Sequence, residues 1–532
     1  MSNRNSGHLF VVNGDIQQLA VDAWLLPLDG SFSPTKTWQK TLDGLKFQRA
    51  KQVPWKRGEL ARFLGCTEGT DVWIGNVGRS QEYQDEHPTH YTDVALQFLY
   101  GATQRWKDEN PDEHRQPILA INHLGTGNGG ARTSHGEVLN QIVSAISKEL
   151  DSGDLAADVV LVSWGNKPWS AAQHMRHVRR PSWRTDPQWS FSYQQEVIHD
   201  CAERVAESLR RNAGCVFLGA GVSVGAGLKG WDQLLRDIGR ETIPSTTEED
   251  LRQFPDPRDK AALVETRLRR NGRSIGEVLQ HHLQSEKYSL QHGLLASFPC
   301  NEYITTNVDE LFEMACNVHR DKVAVIPQQP AGAGRWLLKL HGTVSQPESV
   351  VFTRDHYFDA FRSSRALMGL VQAMLFTRHM VFVGYGLRDE DFHELVYEVR
   401  SAFPGGKFAT ELGTAVALFD DPVQSELWSD MLSVVPMRPA LNGRAPSNEE
   451  VAEAGRDVAR LLDLIGMLAS HRSSFLLDWH YEGARTIEEN KAWREMEAVV
   501  ELVRRTSTEG PGWDEVRTLL SNLGAEFDKE NF

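Results

Sequence analysis

Short apolar runs and longer amphipathic stretches alternate along most of the chain. Apolar runs that end at glycine, asparagine, aspartate or histidine are typical of buried parallel strands, and an apolar position on every helical turn predicts a helix. The predicted strands lie at 8–16, 19–28, 72–78, 118–124, 158–164, 215–218, 302–305, 335–341, 379–383 and 414–419, and a strand that runs into a capped helix start is predicted at 350–357. The predicted helices lie at 91–106, 136–150, 196–211, 231–240, 247–254, 258–271, 275–286, 288–297, 448–469, 486–505 and 513–523. This alternation predicts an α/β fold.

The order of these elements divides the chain into regions. Residues 1–170 are predicted to form a three-layer α/β domain, and 171–190, which are basic and contain prolines, a linker. Residues 191–445 are predicted to form a Rossmann-like parallel sheet with a helical insertion at about 231–299. Residues 446–532 are predicted to form a helical C-terminal region, whose leucine-rich stripe packs on the domain or on a second subunit.

Composition and charge narrow the class of protein. The chain has 532 residues, too many for one hydrophobic core, and its formal net charge is −15. Direct nucleic-acid binding is not expected, because proteins that do this usually present a basic face. No apolar run approaches the ~20 residues that cross a bilayer, and the polar N-terminus lacks a signal-peptide core. We therefore expect a cytoplasmic protein without a membrane partner.

Cysteines and histidines do not indicate a metal site. The five cysteines lack the paired spacing of zinc ligands and are expected to be reduced thiols. His281 and His282 are adjacent, so they point to different faces of a helix, and they lack carboxylates at ligand spacing. We expect no bound metal.

The candidate chemistry begins at a glycine-rich loop. An apolar run at 215–218 is followed by glycines at 219, 221, 225 and 227, before the predicted helix that starts at 231. Glycines let the backbone approach a pyrophosphate closely, and a helix N-terminus offers unpaired N–H groups to it. This loop alone is weak evidence for a nucleotide site, because such turns are common.

Three later segments place polar residues at strand ends, where ligands bind in an open parallel sheet. They contain Thr-Thr-Asn-Val-Asp at 305–309, Lys-Leu-His-Gly at 339–342 and Gly-Tyr-Gly-Leu-Arg-Asp at 384–389. Together with Gly-Ala-Gly-Val-Ser at 219–223, and in this order, they resemble the sirtuin-like NAD-binding superfamily. They resemble most closely its branch in bacterial antiphage-defence proteins.

This resemblance implies NAD+ as the substrate and gives roles to individual residues. Asn307 would place the attacking water, Val308 and Asp309 would hold the carboxamide, and His341 would act as the general base. The implied nucleotide-binding residues are Gly219, Ala220, Gly221 and Ser223 at the pyrophosphate and nearby ribose, Thr306 and Val308 in the motif of Asn307, and Gly384, Tyr385 and Gly386 at a phosphate or the adenosine end. Gly386 stands where the family commonly has serine, which removes one hydroxyl contact. The four-cysteine zinc module of sirtuin deacylases is also missing, which disfavours a deacetylase.

Asn307 and His341 could also have purely structural roles. Asn307 could cap a helix that begins at Asp309, and His341 could be an ordinary strand exit. The chemistry nevertheless suits all three side chains. Breaking the bond between nicotinamide and ribose requires an oxocarbenium-like centre to be stabilised and a water to be positioned.

Residues 1–170 resemble a macro domain, the module that binds ADP-ribose. The resemblance rests on Gly-Asp-Ile at 14–16, Val-Asp-Ala at 21–23 and Gly-Thr-Gly-Asn-Gly-Gly at 125–130. It implies an ADP-ribose-type nucleotide, with Asp15 accepting a hydrogen bond from adenine and with Gly125, Gly127 and Gly129 around a phosphate or the distal ribose. Leu-Pro-Leu-Asp at 26–29 replaces the family's Asn-x-x-Asn, which argues against ADP-ribosyl hydrolysis. Ligand binding and a purely structural role stay open.

The sequence therefore predicts an NAD+ glycohydrolase that converts NAD+ and water to ADP-ribose and nicotinamide, as a latent antiphage effector. The macro-like block would be a nucleotide sensor or an assembly module. Latency favours a homo-oligomer or gating by a phage-derived or co-encoded activator. One alternative is an ADP-ribosyltransferase or deacylase with a protein acceptor, and another is a non-catalytic sensor of NAD or ADP-ribose. The set of Asn307, Asp309 and His341 favours an enzyme, because a pure binder does not need a base.

Overall fold

The chain folds as two compact units. The first unit comprises Met1–Gln17, Val21–Ser190 and Ser470–Phe532, and the second unit comprises Gln18–Ala20 and Phe191–Ala469. The computed structural model describes residues 7–28, 36–46, 54–78, 89–126, 134–243, 248–317, 322–332, 334–363, 365–387, 390–401, 411–471, 473–505 and 510–527.

Strands and helices alternate through most of the described residues, which confirms the predicted α/β class. The strands are β1 Leu9–Asn13, β2 Ala23–Leu28, β3 Ala61–Thr67, β4 Thr70–Asn76, β5 Ile118–Asn122, β6 Asp158–Ser163, β7 Gly214–Leu218, β8 Glu302–Thr305, β9 Ala324–Ile326, β10 Trp336–Lys339, β11 His379–Val383, β12 Gly413–Phe419 and β13 Leu432–Arg438. The helices are α1 Gln39–Gly44, α2 Thr89–Glu109, α3 His135–Ser152, α4 Asn166–Arg179, α5 Gln195–Arg210, α6 Trp231–Thr242, α7 Glu248–Arg252, α8 Pro257–Arg270, α9 Ile275–Leu283, α10 Leu290–Ala296, α11 Leu311–Cys316, α12 Arg354–Ser363, α13 Arg365–Thr377, α14 Glu390–Ser401, α15 Pro422–Trp428, α16 Asn448–Ala469, α17 Ile487–Arg505 and α18 Pro511–Asn522. Within the part of the chain that is described, no helix is long and apolar enough to cross a membrane.

A six-stranded sheet in the order β1-β6-β5-β2-β4-β3 forms the first unit. Neighbouring strands are parallel except β3 and β4, which are antiparallel. Alternate residues of β1, Leu9 and Val11, join a core with apolar residues of α2, α3 and α4. On another strand, Trp24 packs on Trp38 with ring centroids 5.7 Å apart. The sequence did not predict β3, an edge strand whose residues are mostly half-buried.

The structure differs from the predicted linker at 171–190. These residues continue α4 and then form two short 3-10 helices, Trp183–Thr185 and Pro187–Trp189, inside the first unit. Ala171 and Met175 are buried on α4, but a helix face made partly of small residues gives only a weak apolar periodicity. The basic residues that suggested a linker lie in the last turn of α4, where positive charge is favourable for the helix dipole.

The C-terminal helices lie close to their predicted positions, but they belong to different units. In the second unit, α16 contacts α5 and α10, and its leucine-rich stripe is buried. By contrast, α17 and α18 belong to the first unit. There the 3-10 helix Trp479–Ala484 packs on α3 so closely that a Cβ atom on Gly136 would lie 2.8 Å from the Ala484 nitrogen. The single C-terminal region predicted from the sequence is therefore divided after residue 469.

The second unit is built on a seven-stranded parallel sheet in the order β13-β12-β11-β7-β8-β10-β9. The sequence predicted its inner strands but missed β9 and β13 at the two edges. Three half-buried residues in β9 and a proline within β13 weaken the apolar signal there. A strand that runs into a capped helix start was predicted at 350–357. The helix start is confirmed, since α12 begins at Arg354, but 350–353 form no strand.

A helical module fills the predicted insertion between β7 and β8. Apolar residues of α6 to α9 share one core with Val344, Val350 and Phe352, which follow β10. The rings of Trp231 and Phe352 lie 4.4 Å apart. This shared core places the module against the segment that leaves β10, at the carboxyl edge of the sheet.

Gly136→Ala is expected to destabilise the first unit. The new Cβ atom would lie 2.8 Å from the Ala484 nitrogen and 2.9 Å from the Tyr481 Cα atom, so α3 and the C-terminal segment would have to separate. Overpacking of this kind lowers the free energy of unfolding by about 1–3 kcal/mol. Gly455→Ala in α16, whose Cβ atom would meet nothing within 4 Å, is the matched control and is expected to be neutral or slightly stabilising. Urea unfolding measures both variants, and equal midpoints would contradict the prediction.

Candidate active site

Four neighbouring strand ends define a candidate site in the second unit. Strands β11, β7, β8 and β10 are adjacent and parallel, so their carboxyl ends lie at one edge of the sheet. The predicted residues of the NAD site all follow these strands, in the segments 219–223, 306–309, 341 and 384–386. The sheet order therefore gathers four motifs that are far apart in the sequence.

Glycines let the loops after β7 and β11 meet backbone to backbone. Gly219 donates its N–H to the Val383 carbonyl and Gly221 donates to the Gly384 carbonyl, both at 2.9 Å. A Cβ atom on Gly219 would lie 2.4 Å from the Gly384 oxygen. One on Gly384, whose φ is +66°, would lie 2.6 Å from the Val222 nitrogen. The sequence suggested that the glycines admit a pyrophosphate, but the contact between the two loops already requires Gly219 and Gly384.

Asn307 is tied to the glycine-rich loop. Its Nδ2 donates to the Gly219 carbonyl at 3.1 Å and lies 3.3 Å from Ser223 Oγ. Its backbone N–H donates to Thr305 Oγ1 at 2.9 Å, and this hydroxyl donates to the Leu218 carbonyl at 3.0 Å. The side chain therefore does not cap a helix, which excludes the structural reading of Asn307 that the sequence left open.

Asp309 is buried, and both of its carboxylate oxygens accept hydrogen bonds. Its Oδ1 accepts the N–H of Leu311, the first residue of α11, at 3.1 Å. Its Oδ2 accepts the hydroxyl of Ser223 at 2.9 Å. Ser223 thus joins the predicted pyrophosphate loop to Asn307 and Asp309. A carboxylate can accept further hydrogen bonds, so a contact between Asp309 and a carboxamide stays a prediction.

His341 lies at the exit of β10, beside the segment that leaves β8. Leu340 donates its N–H to the Thr305 carbonyl and Val344 donates to the Val308 carbonyl, both at 2.9 Å. The two exits therefore run side by side. The His341 ring is buried and meets Tyr357 of α12 edge to face, with centroids 5.0 Å apart. Its role as a general base stays a prediction.

Other predicted residues around these loops differ in what they contact. Ala220 is exposed on the 3-10 helix Ala220–Ala226, and Thr306 is half-buried. Val308 packs against the core of the helical insertion, which connects the module to the motif that carries Asn307.

Tyr385 and Gly386 are placed differently from each other. The Tyr385 ring packs on Phe217, with centroids 4.6 Å apart, and also contacts Phe392. Gly386 is exposed, and its carbonyl accepts Nε2 of Gln424 at 3.0 Å. The ring of Tyr385 therefore supports the sheet, while contact of Gly384, Tyr385 or Gly386 with a nucleotide stays a prediction.

Sequence reasoning missed a buried polar pair beside the glycine-rich loop. Ser289 Oγ donates to the Val222 carbonyl at 2.7 Å, and His292 Nδ1 lies 3.2 Å from the Ser289 N–H, which it accepts in a capping box. Burial lowers the pKa of His292 to about 4, although the negative charge of Asp309 acts in the opposite direction. Ser-x-x-His before an apolar run resembles the usual Ser-x-x-Glu box, and this was the available signal.

The first unit brings part of the predicted macro-like site to one sheet edge. Asp15 follows β1, and its Oδ1 accepts the N–H of Gln17 at 3.0 Å. Burial is the largest effect on Asp15 and raises the pKa of its carboxyl, against the hydrogen bonds from Gln17. Gly125, with a φ of +77°, follows β5, and only β6 separates β5 from β1. Gly127 and Gly129 lie outside the described residues.

The chain is similar to known proteins over part of its length. Residues 301–435 match the model of the SIR2-like domain, and this range holds Asn307, Asp309 and His341. The match confirms the sirtuin-like resemblance that the motifs predicted. The glycine-rich loop lies before the matched range, and its hydrogen bonds with Asn307, Asp309 and Gly384 connect it to that domain.

Several relatives have names that refer to NAD or to defence. The chain is 27% identical over 211 residues to NAD(+) hydrolase ThsA of Enterococcus faecium, which covers 37% of this chain and 42% of the relative. It is 24% identical over 223 residues to NAD(+) hydrolase ThsA of Acinetobacter baumannii, which covers 40% and 44%. It is 26% identical over 212 residues to Defense-associated sirtuin 2 of Bacillus subtilis, which covers 38% and 21%. The chain thus spans less than half the length of each of these relatives.

A solved structure also aligns with this chain. It is the Oceanobacillus iheyensis macrodomain with MES bound, which is 12% identical and aligns at a TM-score of 0.26. The alignment covers 34% of this chain and 95% of the macrodomain.

His292→Gln is expected to make the protein less sensitive to acid. The pKa of His292 is about 4 in the folded state and about 6.5 in an unfolded chain, so the unfolded state binds more protons below about pH 6.5. Stability from this group is therefore present above pH 6.5 and is lost as the pH falls towards 4. Between pH 8 and pH 5 the loss is about 2 kcal/mol. Glutamine keeps the capping box but does not titrate.

Urea unfolding at pH 8 and pH 5 measures this difference. His281→Gln, at an exposed position of α9, is the matched control and should keep the wild-type pH dependence. Identical acid losses in wild type and His292→Gln would contradict the prediction.

Proposed function

We propose that this protein hydrolyses NAD+ to nicotinamide and ADP-ribose. The observation that carries the proposal is the position of Asn307, hydrogen-bonded to Gly219 and near Ser223, beside the strand exit that bears His341. An amide and a carboxylate thus contact a glycine-rich loop, and an imidazole lies at the neighbouring strand exit, at the edge of a parallel sheet where such folds bind nucleotides.

The hydrogen bonds of Asn307 suggest how it would act. Its Nδ2 donates to the Gly219 carbonyl, so Oδ1 is the atom that can accept a hydrogen bond from a water. A water held in this way could attack the anomeric carbon of ribose as nicotinamide leaves. His341 would accept a proton from this water or from a ribose hydroxyl, since an ordinary imidazole titrates near neutral pH. Asp309, held by Ser223 and Leu311, would orient the carboxamide.

The names of the relatives support hydrolysis as the reaction. Proteins called NAD(+) hydrolase are similar to this chain over about 40% of its length, and the SIR2-like range includes all three proposed reactive residues. Transfer to a protein acceptor is the competing reaction at the same site. The products separate the two, because hydrolysis releases free ADP-ribose and transfer leaves it attached to protein.

We further propose that this activity serves antiphage defence by depleting NAD+. The name Defense-associated sirtuin 2 of a relative supports this role. An activity of this kind must be latent at rest, so we expect a homo-oligomer or an activator that is phage-derived or co-encoded. The macro-like first unit would sense an ADP-ribose-type nucleotide or direct assembly, and its predicted contact residues are Asp15 and Gly125.

Purified protein is expected to convert NAD+ to nicotinamide and free ADP-ribose, as separated by chromatography. Asn307→Ala and His341→Ala should each lower turnover by about 10²–10⁴-fold, because each removes a group that positions the water or accepts a proton. Asn301→Ala and His281→Ala change the same residue types at exposed positions and should retain activity. Unchanged turnover in the site variants, or ADP-ribose found only on protein, would reject the proposal. If wild type is silent, the assay is repeated with lysate from phage-infected cells, and continued silence favours a binding module.

ADP-ribose binding to the first unit is best measured in full-length Asn307→Ala protein, because residues 470–527 complete this unit. We expect calorimetry to detect binding that Asp15→Ala weakens by about tenfold or more, the loss of one hydrogen bond to a charged group. Asp43→Ala, on α1 of the same unit, is the control. Affinity unchanged by Asp15→Ala would leave the macro-like unit without this nucleotide site.

A further inference from the structure

A lysine of the motif at 339–342 is fully buried under the candidate site. The side chain of Lys339, the last residue of β10, has an exposed fraction of 0%. Its Nζ donates to the Asp309 carbonyl at 2.5 Å and to Glu313 Oε1 at 2.7 Å. The Val308 carbonyl and Thr343 Oγ1 each lie 3.5 Å away. The ammonium therefore has several protein partners and no access to solvent.

Helix stability does not explain this ammonium. It lies at the N-terminal end of α11, where the helix dipole disfavours positive charge. Burial raises the pKa of Glu313, and the charge of Lys339 opposes this by favouring the carboxylate. A buried ion pair of this kind often contributes little net stability, because both ions lose their hydration. In addition to the ion pair, Lys339 contacts backbone carbonyls.

The backbone that Lys339 holds is the turn between Asn307 and α11. These carbonyls belong to Val308 and Asp309, directly after Asn307. In the sequence, one residue separates Lys339 from His341. One side chain thus connects the two strand exits that carry the proposed reactive groups.

A second side-chain hydrogen bond connects the same two strand exits. Thr343 Oγ1 donates to Glu310 Oε1 at 2.8 Å, again between the segment after β10 and the segment after β8. With the Val344 N–H on the Val308 carbonyl at 2.9 Å, the two exits are joined by both side-chain and main-chain contacts. The contacts of Lys339 are the buried part of this connection.

We propose that Lys339 is a positioning residue, which fixes the turn carrying Asn307 and Asp309 relative to His341. The proposal rests on the NAD+ hydrolysis proposed above. Displacing reacting groups by about 1 Å can lower turnover by about 10²-fold. The glycine-rich loop is held by its own contacts with the loop after β11, so nucleotide binding should change much less than turnover.

The test removes the contacts of Lys339 with the carbonyls without leaving an unpaired buried charge. Lys339→Met alone would leave Glu313 unpaired and could unfold the protein, so the main variant is Lys339→Met/Glu313→Leu. Replacing a buried ion pair by apolar residues of similar volume is often neutral for stability. We expect this double variant to melt like wild type and to lose about 10²-fold in kcat, with KM for NAD+ changed by less than about threefold.

Two further variants separate the effect of the carbonyl contacts from the effect of the ion pair. Glu313→Gln keeps the Lys339 contacts with both carbonyls and should retain kcat within about tenfold. Arg378→Met/Glu302→Leu removes an ion pair at the other end of the same sheet, where Nε and Oε2 lie 2.5 Å apart, and should leave kcat unchanged. Wild-type kcat in the Lys339→Met/Glu313→Leu variant overturns the proposal. An equal kcat loss in Glu313→Gln also overturns it, because the charge pair would then be what matters.

A readout without substrate separates this proposal from the proposed activity. Amide hydrogen exchange across 306–311 should be faster in Lys339→Met/Glu313→Leu than in wild type, and unchanged in Arg378→Met/Glu302→Leu. Equal exchange in the Lys339 variant and wild type overturns the role of Lys339 even if NAD+ is hydrolysed. If wild type hydrolyses no NAD+, the proposed function fails, while the exchange result still decides whether Lys339 fixes the turn. If the double variant does not fold, Lys339→Arg is measured in the same way, and unchanged exchange and turnover again overturn the proposal.

Discussion

The second unit depends on the close approach of two backbone loops at the carboxyl edge of its sheet. Gly219 and Gly384 meet where a Cβ atom on either would overlap the backbone of the other loop. This contact fixes the Gly219 carbonyl, which in turn accepts the side chain of Asn307. The glycines are therefore required before any ligand binds, and the amide of Asn307 takes its orientation from them.

Around this contact, several buried polar groups depend on their hydrogen-bond partners. Ser223 holds Asp309, His292 accepts the N–H of Ser289, and Lys339 lies on the carbonyls of the turn after β8. An unpaired polar group in such surroundings is costly, so a fully bonded network stays in one arrangement. A rigid site of this kind suits the proposed hydrolysis, which depends on holding a water and a leaving group in fixed positions.

The first unit is also constrained by close backbone packing at glycines. Its C-terminal segment returns to α3, where Gly136 and Gly483 each lie too close to the opposing backbone to carry a side chain. The residues after 469 therefore complete a core that begins at Leu9, and a fragment ending near residue 175 would lack part of it.

The sequence by itself determined the α/β class, the inner strands of both sheets, the positions of the C-terminal helices and the motifs of the candidate site. These are local properties, since an apolar run or a glycine turn can be read within a few residues. Tertiary structure alone decided that 171–190 are part of a domain and that α16 and α17 belong to different units, because small buried residues and helix partners leave no local pattern. It also decided that Asp309 rather than Asn307 accepts the N–H of Leu311, and that Lys339 lies under the site. Contacts between residues distant in the sequence set these roles, so the spacing of motifs could name the residues but not assign their partners.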